Sequence, residues 1–80
     1  MTLEEICTAE ELERLEALHK DWEELREAKE ANERQFFAWG ATPANMNDRG
    51  RIMRAMEANA KDTSEIIMRA YTRHKEGEKA

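Results

Sequence analysis

Residues 36–48, FFAWGATPANMND, decide the fold. Phe36, Phe37 and Trp39 close a long patterned segment, Gly40 suits the left-handed residue that follows a helix, and Pro43 cannot continue one. The stretch 40–47 therefore reads as a loop. Within it, Thr42-Pro43 suits the opening of a short turn, since proline is tolerated at a first helical position. Asn47 or Asp48 then reads as the cap of a second helix.

Upstream of the loop, residues 8–39 read as one long helix. Thr8 followed by Glu11 fits a capping box, and Cys7 with Leu12 fits the hydrophobic staple that accompanies it. Thr2 and Glu5 repeat the spacing, predicting a short extra turn over residues 3–6. Leu12, Leu15, Leu18, Trp22 and Leu25 recur at three- and four-residue intervals and share one face. The stripe then fades, its next seam positions falling on Lys29 and Asn32, before it resumes at Phe36.

Downstream, residues 48–75 read as a second helix, with Gly77 in the tail 76–80 marking its stop. Met53, Met56, Ala60, Thr63, Ile67, Ala70 and His74 repeat with the three–four spacing of a helix packed along another at a shallow angle. Ile52, Ile66 and Tyr71 flank that seam. Asp62 with Glu65 resembles an internal cap, but the sustained heptads favour a continuous helix over one broken near 60–64.

The fold class is all-α, an antiparallel two-helix hairpin in one domain spanning residues 1–80. The chain has no valine, which argues against a sheet. Its nineteen large apolar side chains are few for 80 residues, so two hairpins pairing into a homodimeric four-helix bundle would shelter more of each stripe. The core of that assembly is expected from Leu12, Leu15, Leu18, Trp22, Leu25, Ile52, Met53, Met56, Ile66, Ile67 and Tyr71.

Charge divides unevenly. Charged residues make up 39% of the chain and sum to −5, with −7 over residues 1–44 and +2 over residues 45–80. Glu16, Glu23, Glu27 and Glu30 belong to an acidic back face of the first helix. That face is either a solvated surface or one that steers a partner. Arg49, Arg51 and Arg54 open the second helix and raise nucleic-acid binding as an alternative. Acidic side chains interrupt the run and the whole-chain charge opposes it, so nucleic acid is disfavoured as a partner. An acidic mimic of nucleic acid and a structural subunit of a larger assembly are further alternatives.

Chemistry is sparse. Glu16, His19 and Glu23 lie within helical reach, yet one histidine among glutamates is a weak metal site. Cys7 is the only cysteine; its place near a helix start could lower its thiol pKa, while the staple gives it a packing role. Neither Ser64 nor the three glycines sit in a nucleophile or phosphate-binding motif. No catalytic residue, cofactor, metal or small-molecule substrate is expected. A lone cysteine, a glutamate-rich start and the lack of a long apolar run predict a cytoplasmic protein with no signal peptide and no membrane span.

A helical hairpin with Trp39-Gly40 at its turn resembles the small WXG-type secreted proteins. Here, however, tryptophan and glycine are adjacent with no spacer, and Lys75 stands where that family's tail signal has an acidic residue, so no secretion role follows. In size and acidity the chain is similar to small phage-encoded inhibitors, including anti-CRISPR and anti-host proteins, a likeness of composition without a motif. The functional expectation is a non-enzymatic protein that self-associates and inhibits a larger macromolecule by occupying its surface. Phe36, Phe37 and Trp39, or the acidic face, would make the contact; the aromatic group could equally cap the end of the bundle.

Overall fold

The computed structural model describes residues 2–79 and is helical almost throughout, with no strand among them. Three helices follow one another: α1 (Leu3–Ile6), α2 (Ala9–Trp39) and α3 (Pro43–Lys79). The capping signals at the start act as their spacing implied. Glu11 donates its backbone N–H to Thr8 Oγ1 at 3.1 Å, and Glu11 Oε1 accepts the backbone N–H of Thr8 at 2.8 Å. The main chain of Thr2 likewise donates to Glu5 Oε2 at 3.3 Å. The one-turn α1 places Ile6 in a buried position, and α1 packs against α3.

The turn is tighter than residues 40–47. α2 ends at Trp39, Gly40 adopts φ +77°, and α3 begins at Pro43. Thr42, not Asn47 or Asp48, caps α3: its Oγ1 accepts the backbone N–H of Asn45 at 3.2 Å. Asn45 turns back to donate its side-chain amide to the Gly40 carbonyl at 2.9 Å. Residues that look like loop formers thus serve as caps, and the helix gains its first turn from them. At the other end α3 runs through Gly77 to Lys79, so that glycine does not stop it. α3 is also unbroken at 60–64, where Asp62 and Glu65 are both exposed.

α2 and α3 lie side by side in a rod measuring 59 × 17 × 16 Å. Its radius of gyration is 17.4 Å, against about 12 Å for a compact domain of this length. On α2 the inward residues are Leu15, Leu18, Trp22, Leu25, Lys29, Asn32 and Phe36, all buried or half-buried, so the fading stretch stays on the seam. On α3 the expected seam is kept at Met56, Thr63, Ile67, Ala70 and His74 but rotated so that Asn45, Ile52, Asn59 and Ile66 also face inward, while Met53, Ala60 and Tyr71 are exposed. Met53 and Tyr71 therefore do not belong to the core of the hairpin. The side-chain amide of Asn59 donates to the Leu18 carbonyl at 2.8 Å and holds α3 at that rotation.

The buried apolar core is small. Among the described residues only Ile6, Leu18 and Ala70 are buried apolar side chains, and no large side chain is fully enclosed. Three asparagines, Asn32, Asn45 and Asn59, are buried beside them, and no buried side-chain nitrogen or oxygen lacks a partner among the described residues.

Candidate protein-docking tip and the polar seam

The rotation and register of the hairpin rest on polar contacts at three levels. Near the turn, Asn32 Nδ2 donates to the Asn45 carbonyl at 3.0 Å. Midway, Asn59 reaches Leu18. At the open end, Arg73 Nη2 donates to the Ile6 carbonyl at 2.9 Å and to Glu11 Oε1 at 2.6 Å, while Nη1 reaches Glu11 Oε2 at 3.3 Å. Asn45, Asn59 and Arg73 stand fourteen residues apart along α3, as do Asn32 and Leu18 along α2. A polar group repeated at a seam position specifies which heptads face each other, at a cost in stability. The sequence pattern of apolar residues assigns none of Asn45, Asn59 and Arg73 to the seam; the fourteen-residue step was the signal available.

Glu11 links two devices, since one carboxylate completes the capping box and receives the Arg73 fork. The guanidinium hydrogen bonds first, and the Thr8 N–H second, hold its carboxyl down at about 2. The Arg73 guanidinium is raised in turn by its bond to Glu11. Cys7 lies beside them, its thiol pushed up by desolvation and by the charge of Glu11, with Arg73 opposing. The helix start therefore does not activate that sulfur, and its half-buried position suits the staple with Leu12.

The opposite end of the rod carries the aromatic group. Phe36 is half-buried as the last rung of the α2 seam, with the Arg49 guanidinium 5.6 Å from its ring centroid. Phe37, one position on, points to solvent with 93% of its surface exposed, and Trp39 is 76% exposed. Met46, in the first turn of α3, is exposed as well. The aromatic group thus splits: Phe36 packs on the hairpin, while Phe37 and Trp39 do not cap it. The turn that presents them is braced by the Thr42, Asn45 and Asn32 hydrogen bonds.

The charged candidates occupy other surfaces. Glu16, Glu23, Glu27 and Glu30 are exposed on the side of α2 turned from α3, with Glu23 Oε1 3.2 Å from His19 Nε2. Arg51 and Arg54 share a face of α3 at i,i+3, but Arg49 points to the other side of the helix at about 100° per residue, so the three do not form one stripe. Arg49 is engaged by Phe36, Arg51 pairs with Asp48, and the Arg54 guanidinium lies over Gly50. Among the described residues no three His, Cys, Asp or Glu side chains converge as metal ligands do, and no helix is long and apolar enough to cross a membrane.

Between α2 and α3, on one broad face of the rod, runs a groove of about 450 Å³ walled mainly by Leu15, Trp22, Ala60, Ile67 and Met68. The opposite broad face is edged by Arg14, Asp21, Glu24 and Asp62 around Ala55 and Ala58. The two faces therefore differ in charge, the groove lacking the carboxylates that edge the other side, a property that neither helix wheel reveals alone. No protein-family model, curated protein or solved structure matches this chain.

Proposed function

We propose that this is a small, acidic, non-enzymatic interaction protein that self-associates and docks on a larger protein through the tip of its hairpin, inhibiting it by occupying its surface. The carrying observation is the exposure of Phe37 and Trp39 on a braced turn. Large aromatic side chains supply the anchors of protein interfaces, and a pre-ordered scaffold lowers the entropy lost on docking. The Asn45–Gly40 and Asn32–Asn45 bonds give the tip that order. Exposed Met46 adds an adaptable apolar contact beside them. The arginine trio lends no comparable support to nucleic-acid binding, since two of its members are engaged within the hairpin.

The test is co-purification from the native cell with Trp39→Ala and Phe37→Ala variants beside the parent chain. Loss of the captured protein with helicity unchanged by circular dichroism is the expected result. Retention of that protein by the double variant would transfer the contact to the acidic face, which Glu23→Lys and Glu27→Lys then probe.

A further inference from the structure

We propose that the groove walled by Leu15, Trp22, Ala60, Ile67 and Met68 seats a second copy of this chain. The copies stack so that α2 of each lies over α3 of its partner, with both turns at the same end of a four-helix bundle. This rests on the self-association proposed above and adds to it a face and an orientation.

Surface area argues for a second copy as the occupant. The chain exposes 6315 Å², whereas a compact chain of its mass exposes about 5,000 Å². The excess, about 1,300 Å² per chain over the whole rod, is large enough to supply the roughly 800 Å² that each partner contributes to a standard stable interface. The exposed apolar side chains beside the groove are suited to that burial. Met68 is 59% exposed, and Met53 and Tyr71 lie on the same flank of α3. These three residues, off the seam within the hairpin, become inward residues of a bundle. The opposite broad face offers Arg14, Asp21, Glu24 and Asp62, whose desolvation would have to be offset.

Charge selects the orientation. Face-to-face stacking by a two-fold axis allows α2 over α2 with the turns at opposite ends, or α2 over α3 with the turns together. Neighbouring helices are antiparallel in both, so helix dipoles do not discriminate. α2 carries a formal net charge of −5 and α3 +2. Placing α2 on its own copy would set one acidic helix against another, whereas placing it on α3 opposes unlike charges. The turns-together form presents two Phe37–Trp39 tips at one end, and a partner that engages both gains avidity.

Sedimentation equilibrium of the parent chain, Met68→Glu and Ala58→Glu tests the face, with circular dichroism on each. Ala58 is exposed on the opposite face and serves as the control. The expected result is a dimer for the parent and for A58E, and a helical monomer for M68E. A monomeric parent at tens of micromolar would overturn self-association and this inference with it. A dimer that survives M68E, or one broken by A58E, would overturn the face alone. For orientation, nitroxide labels on Ala41→Cys in a Cys7→Ser background are expected within about 30 Å of each other, a few interhelical spacings. A separation approaching or exceeding the 59 Å rod length would put the turns at opposite ends and overturn the stacking.

Discussion

Asn59 and Leu18 meet across the middle of the hairpin, the asparagine's side-chain amide donating to the leucine's main-chain carbonyl at 2.8 Å. Both residues are buried, and the carbonyl lies within the continuous α2. Exchanging that donor for an acceptor costs more than removing it. Asn59→Asp sets a carboxylate against the carbonyl and should lower stability by about 1–3 kcal/mol in urea titration. Asn59→Leu should leave stability unchanged or raised, because the Leu18 carbonyl keeps its helical partner and apolar burial grows. What Asn59→Leu gives up is uniqueness of register, seen as broadened amide resonances in a heteronuclear spectrum.

Much of this was legible in the chain, and the part that was not has a physical reason. Apolar spacing from Leu12 to Leu25 and the paired Thr/Glu caps predicted α1 and α2 almost to the residue, since those signals are local. The start of α3 was displaced because Thr42, Pro43 and Asn45 favour caps and loops equally, and only their contacts to Gly40 and Asn32 decide between them. The expected α3 seam is kept at Met56, Thr63, Ile67, Ala70 and His74 but lost at Met53 and Ala60. The reason is that hydropathy ranks Met53 above Asn59, whereas a bond to Leu18, distant in sequence, sets the rotation. Phe37 and Trp39 were recognisable as a group, but only the fold separates them from Phe36.

The Arg73–Glu11 clasp should make stability fall in acid. A carboxyl held at about 2 in the folded chain, against an ordinary value of 4.5, stabilises the fold fully above pH 4.5. That contribution fades as pH falls from there toward 2. Arg73→Gln should remove much of the acid dependence in this window as well as lowering stability at pH 7. Urea midpoints at several pH values between 2 and 7, parent against variant, give the comparison. Parallel profiles would mean that other carboxylates carry the effect.

Phe37→Ala and Trp39→Ala should each change stability by less than about 0.5 kcal/mol, the range of surface substitutions. Leu18→Ala, at a site only 4% exposed, should cost about 2–5 kcal/mol. Thermal melts followed by circular dichroism separate the two classes. A large loss from Trp39→Ala in the isolated protein would assign that side chain to the bundle instead of to a docking contact.

Two glycines should respond to alanine with opposite signs. Gly40 has φ +77° and ψ −165°, a region essentially reserved for glycine, although a Cβ there would meet nothing within 4 Å. Gly40→Ala is thus opposed by backbone strain and not by crowding, and should cost about 1–3 kcal/mol. Gly50 lies inside α3 with ordinary helical dihedrals, so its lack of a Cβ brings only the entropic penalty of glycine in a helix. A Cβ added there stands 3.4 Å from the end of the Arg54 side chain, which is flexible enough to move. Gly50→Ala should therefore stabilise by about 1 kcal/mol. For a chain of this size that is a rise of about 4–8 °C in Tm, with Gly40→Ala lowering Tm by at least as much. Equal and neutral responses would mean that the turn relaxes away from positive φ, and with it the bracing that holds Phe37 and Trp39 outward.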